Sequence, residues 1–262
     1  MARMLRLLLR LALLCLPAFA QAADVPAIAA AADLKFALTD LAQRFEKDTG
    51  RRVRLSFGSS GNFTQQIEQG APFELFLSAD EQFVFRLADR GLTTDRGVLY
   101  AIGRLVLFAP AGSALRPDED MKDLRAALAD GRLRRFAIAN PAHAPYGRAA
   151  RAALRHAGLW DDIEPRLVLG ENAAQATQFA ASGASQGGIV PLSLSKAPEV
   201  ASLGTFALIP AQWHADEPLR QRMVLMRGAG ATARAFHDYL QQPAARAQLA
   251  RSGFTLPDER SH

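Results

Sequence analysis

What most constrains the fold of this chain is a repeated alternation of strand-length apolar runs with helix-patterned segments. Runs at 25–31, 52–56 and 73–77 are each followed by residues whose apolar positions recur every three or four. In the first helix, expected over 34–47, Leu34, Leu38, Leu41 and Phe45 form one apolar face. Asp33 stands where an N-cap belongs and Gly50 where a helix stops. A second helix is expected over 62–69, closed by Gly70, and a third after Ser78-Ala79-Asp80, with Phe83, Leu87 and Ala88 inward. A βαβαβα order of this kind predicts a parallel sheet covered by helices.

A second series repeats the pattern. One long apolar strand is expected over 100–109, then a looser stretch with Pro110, Gly112 and Pro117. The acidic run Asp118-Glu119-Asp120 reads as a solvated loop and helix start. A helix over 124–128, a strand over 136–139, a helix over 148–156 and a strand over 166–169 follow. Next come a helix reaching Phe179 and a strand from Gly187. A strand over 222–226, a helix over 231–241 and a last helix opening at 242–246 complete the chain. The expectation is an α/β protein of two lobes, each a mostly parallel sheet flanked by helices. The chain would cross between lobes near 100–105 and again near 217–222, two adjacent crossover strands serving as hinge. The lobe limits follow as 23–103, 104–218 and a C-terminal return to the first lobe over 219–262.

Residues 1–22 read as a cleavable secretory signal and predict an exported mature protein. Arg3, Arg6 and Arg10 make a basic start, Leu7 to Leu16 an apolar core, and Ala20-Gln21-Ala22 a small-x-small cleavage site. Cleavage would remove the only cysteine, Cys15, so no disulfide or thiolate metal site is expected. It would also remove three arginines, leaving 28 basic against 26 acidic side chains. The high isoelectric point therefore says little, and no basic-aromatic cluster suggests nucleic acid.

Candidate chemistry gathers at four strand-to-helix loops: 31–33, 58–62, 140–147 and 170–174. The sharpest is Gly58-Ser59-Ser60-Gly61, whose backbone N–H groups, hydroxyls and helix start suit an anion. Ligands of open α/β sheets collect beyond the carboxyl ends of the strands. Four helix starts facing one cleft would hold an anion without any Lys or Arg. Enzyme signatures are missing: there is no Gly-x-Ser-x-Gly elbow, P-loop or His-x-x-x-His, and Ser59-Ser60 has no suggestively placed histidine. His143 reads as loop packing and Asp80-Glu81 as a helix cap with a dipole partner. No enzyme, cofactor or directly ligated metal is expected.

Several segments also carry a family resemblance. These are 30–34 (Ala-Ala-Ala-Asp-Leu), 57–61 (Phe-Gly-Ser-Ser-Gly), 70–81, 100–106, 138–141, 144–147 (Ala-Pro-Tyr-Gly) and Gly253-Phe254. In order and extent they resemble the periplasmic molybdate-binding proteins, the substrate-binding components of molybdate ABC transporters, in the branch with the Ala-Pro-Tyr-Gly loop. The resemblance implies the two-lobe periplasmic binding protein fold and a tetrahedral dianion held by neutral hydrogen bonds. It implies that Ser60 binds one oxyanion oxygen, with Ser59 beside it. Tyr146 would donate from side chain or backbone, Ala173 from its backbone, and Ala32 and Asp33 would form the first-loop contact. The transported ligand would be molybdate or tungstate, the partner a membrane permease, and the protein a monomer. Pro191 stands where another branch has a contacting Tyr, whose part Tyr146 would take.

Asp33 departs from the family pattern, which has Ser, Thr or Asn in this pair. An ionised carboxylate facing a dianion is repelled by several kcal/mol at intermediate dielectric. The expected resolution is that Asp33 turns away to cap its helix while its N–H faces the ligand. The alternative is that it accepts a proton from a hydrogen-bearing oxyanion such as phosphate. A periplasmic enzyme or sensor domain is the remaining alternative.

Overall fold

The computed structural model describes residues 25–257. The expected signal segment lies outside them. Two five-stranded sheets share one plan. The first runs β2 (Arg54–Gly58), β1 (Ala27–Ala31), β3 (Phe73–Ser78), β10 (Arg220–Leu225), β4 (Val98–Ile102). The second runs β7 (Leu167–Gly170), β6 (Phe136–Ala139), β8 (Gly188–Pro191), β5 (Leu105–Pro110), β9 (Gly204–Leu208). In each, three strands are mutually parallel and the fourth and fifth are joined antiparallel, so the sheets are mixed. The parallel strands are those linked by crossover helices.

Eight helices of eight residues or more cover the sheets among the described residues. They are α1 (Lys35–Thr49), α2 (Ser60–Glu68), α3 (Glu81–Asp89), α4 (Lys122–Ala129), α5 (Pro145–His156), α6 (Ala173–Ala181), α7 (Ala231–Leu240) and α8 (Pro243–Arg251). The apolar face of α1 packs as its spacing requires, with Leu38, Leu41 and Phe45 buried. The C-terminal helices return to it, Phe236 of α7 lying 5.1 Å from Phe45, ring centre to ring centre.

The apolar run at 100–109 is not one strand. It breaks at Gly103-Arg104 into β4 of the first sheet and β5 of the second. Both halves are buried, so hydrophobicity alone shows no seam. The seam is a steric one: a Cβ on Gly103 would come 2.3 Å from the Tyr146 hydroxyl. Its N–H donates to the Leu219 carbonyl (2.9 Å), tying the two crossings together. The edge strand β9 and the turn at Ala211–His214 were not expected from the sequence.

The helix starts also differ in an instructive way. Ser59, not a later residue, caps α2, and α5 begins at Pro145, whose fixed φ suits the first helical position. The expected capping by Asp33 does not occur. Asp33 lies within a 3₁₀ turn, Ala32–Leu34, and no side chain caps that turn or α1.

Candidate functional site

Each parallel strand ends beside the other lobe, and the loops leaving those ends meet around one small cavity of about 10 Å³. That is far below the usual range for drug-sized organic ligands and leaves room for about one water molecule in this closed arrangement. Ala32, Asp33, Ser59, Ser60, Tyr146 and Ala173 all line it, together with Ala79 at the end of β3. The structure thus brings together all six residues singled out in the sequence.

Helix geometry supplies the donors. The first N–H groups of a helix have no intrahelical acceptor and carry the positive end of its dipole. Ser60 is the first residue of α2, Tyr146 the second of α5 and Ala173 the first of α6. Some first-turn donors are already occupied: Asn62 N–H donates to Ser59 Oγ (3.3 Å), and Gly61 N–H to the His143 carbonyl (3.0 Å). A Cβ on Gly61 would lie 2.6 Å from that carbonyl, so this close approach between lobes requires glycine.

The two serines have different duties. Ser60 Oγ accepts the Ala79 N–H (3.0 Å), which leaves its hydroxyl hydrogen free to donate. Ser59 Oγ serves as helix cap and meets His143 Nδ1 at 2.9 Å. His143 in turn has Nε2 3.5 Å from Glu171, whose carboxylate accepts from Asn62 Nδ2 (2.7 Å). His143 therefore does pack loops together, across the mouth of the cleft. Away from the cavity, Arg148 pairs with both Asp80 and Glu217, and Glu81 with Arg220 and Arg222.

The floor is a buried polar cluster. Asp33 Oδ2 accepts from the Tyr146 hydroxyl (2.9 Å) and from Gln221 Nε2. Gln221 Oε1 accepts from the Tyr100 hydroxyl (2.8 Å), and Ser193 Oγ donates to the Asp33 carbonyl (2.9 Å). The Tyr146 side chain is thus committed to Asp33, leaving its backbone N–H for the cavity. Asp33 Oδ1 is buried and has no partner. Burial pushes the Asp33 carboxyl up to about 6, against the opposing pull of its bonds from Gln221, Tyr146 and its own N–H. Burial also holds the Tyr146 and Tyr100 hydroxyls well above their usual range, and the nearby Asp33 charge adds to it.

Gln221 and Tyr100 were missed in the sequence. One signal was present: Gln221 shares the inward register of β10 with Met223, a polar residue where an apolar one is expected. Among the described residues, no Lys or Arg lines the cavity. Three arginines, Arg148, Arg151 and Arg155, lie instead beside Trp213 in a separate groove of about 390 Å³.

The chain matches the family model described as "Bacterial extracellular solute-binding protein" over residues 27–255. It is 37% identical over 240 residues to the molybdate-binding protein ModA of Azotobacter vinelandii, covering 90% of this chain and 92% of that one. It is 34% identical to the ModA protein of Rhodobacter capsulatus, covering 92% and 91%. The solved structure of the Azotobacter vinelandii periplasmic molybdate-binding protein superposes with a TM-score of 0.80 at 34% identity, covering 89% of this chain and all of that one. The sulfate-binding protein SubI from Mycobacterium tuberculosis, 18% identical with a TM-score of 0.69, shares the fold. This chain belongs to the bacterial extracellular solute-binding protein family, in the company of the ModA proteins.

Proposed function

We propose that this protein captures molybdate, and tungstate with it, in the periplasm and delivers it to the membrane permease of an ABC transporter. One observation carries the reading: helix starts from both lobes and the free Ser60 hydroxyl converge on a small closed cavity without a cation. The ModA relatives, named as molybdate-binding proteins, support the choice of ion. Ser60, Tyr146, Ala173 and the Ala32-Asp33 turn would donate to the oxyanion oxygens, and no side chain would touch the metal. Neutral donors match a dianion by geometry, which leaves pocket size to select molybdate over the smaller sulfate. Closure would occur about the Gly103 and Leu219 crossings, with residues 23–103 and 219–262 moving as one lobe against 104–218. The protein would act as a monomer, exported by the signal at 1–22, and would release its ligand unchanged.

A second reading keeps the site and changes the ion. The buried Asp33 carboxylate favours a hydrogen-bearing oxyanion such as phosphate, which would bring its own proton. Calorimetric titration with molybdate, tungstate, sulfate and phosphate separates the two. The expected result is one-to-one binding of molybdate and tungstate, much tighter than of sulfate or phosphate. Tight phosphate binding with no heat from molybdate would overturn the molybdate reading.

A further inference from the structure

We infer that Asp33 enters the loaded site as a neutral carboxylic acid, so that capture of each fully deprotonated oxyanion takes up one proton from solvent. The inference rests on the oxyanion reading above and adds to it the specificity role of one residue.

Three observations lead there. First, Asp33 lines the cavity and is 1% exposed, so a charge on it is not relieved by water. Second, its two oxygens are used unequally. Oδ2 takes both available donors, from Tyr146 and Gln221, while Oδ1 is buried with none. A buried carboxylate oxygen without a donor is costly when ionised, but a protonated Oδ1 becomes a donor and needs an acceptor. An oxyanion in the cavity that Asp33 lines would supply that acceptor. Third, no positive side chain among the described residues lines the cavity to offset a second negative charge. The titratable groups facing Asp33 are the Tyr146 hydroxyl from α5 and the Tyr100 hydroxyl from β4, both neutral. The α2 start, the α6 start and the short helix Leu192–Ser195 contribute Ser59, Ser60, Ala173 and Ser193, none of them charged.

The proton balance is simple. In the empty site the Asp33 carboxyl, pushed up to about 6, is ionised at pH 7.5. A dianion beside it raises its proton affinity further. One proton passes from solvent to Oδ1, and the new O–H donates to an oxyanion oxygen while Oδ2 keeps its two bonds. The ligand stays a dianion and no covalent bond to it forms or breaks. The site thereby gains a donor where Asn or Ser would supply one permanently, and binding weakens as pH rises.

The test is titration calorimetry of the whole mature protein with micromolar molybdate, in buffers of different ionisation enthalpy. Uptake close to one proton per molybdate at pH 7.5, falling toward zero near pH 5, is expected. Affinity should drop about tenfold per pH unit above 6. Asp33→Asn should bind with no proton uptake and a flat profile, and should exceed the wild type by up to about 100-fold at pH 8. The wild-type uptake needs no variant, so a misfolded Asp33→Asn would not spoil the test. Molybdate binding without proton uptake at pH 7.5 would overturn the inference and leave the site reading intact. No molybdate binding at any pH, in a folded protein, would overturn the site reading and the inference with it.

Discussion

The floor and the rim of the cleft are built from the same kinds of residue and serve different ends. At the rim, Asn62, His143 and Glu171 join the lobes through polar contacts, and the Glu171 side chain is 61% exposed. At the floor, Asp33, Tyr146, Gln221 and Tyr100 are linked without access to water. A hydrogen bond exchanged against water contributes little net free energy, whereas a buried polar group left unmatched costs far more. The rim can therefore open and close with small energy differences. The floor decides what kind of charge is tolerated.

The largest effect expected from this contrast lies in the empty protein. Asp33 holds its proton more tightly folded, at about 6, than unfolded, near 3.9. The folded state is therefore favoured below the unfolded value and loses that advantage as pH rises through 6. The stability gap between Asp33→Asn and the wild type should widen by about 2 kcal/mol from pH 4 to pH 7, as measured by denaturant unfolding. A gap that does not change with pH would place the carboxylate in contact with water.

Ser60→Ala comes next. It removes the free hydroxyl and strands the Ala79 N–H, so molybdate affinity should fall by about 10- to 100-fold in calorimetry. Gly103→Ala pushes a methyl group against the Tyr146 hydroxyl and should cost about 1–3 kcal/mol of stability. At the rim, Glu171→Gln should change affinity by less than about threefold, because exposed pairs contribute only about 0.2–1 kcal/mol. A Glu171 effect as large as that of Ser60 would erase the distinction between floor and rim.

The same contrast explains what could be read in the sequence. The strand-helix alternation and the four loops were legible because local periodicity and turn chemistry dictate them, and the family resemblance singled out Ser60 among them. Gly58-Ser59-Ser60-Gly61 needs no distant partner to make a helix start. The orientation of Asp33 was not legible, since it depends on Gln221, brought near by the antiparallel placement of β10 between β3 and β4. Local rules favour Asp at an N-cap, and the buried donors Tyr146 and Gln221 outcompeted the helix start for its carboxylate. The crossing at 103–104 was expected, but not that it splits the apolar run into two strands: both are core strands, and the approach of Tyr146 shows why glycine stands between them.

Neutral donors in the cavity between the lobes, rather than the arginines beside Trp213, would hold the oxyanion. Anomalous scattering from molybdenum in crystals grown with molybdate tests it directly. A single strong peak is expected within hydrogen-bonding reach of Ser60 and of the α5 and α6 starts, with no cation beside it. A peak in the groove of Arg148, Arg151 and Arg155, with the cavity above Asp33 unfilled, would contradict it.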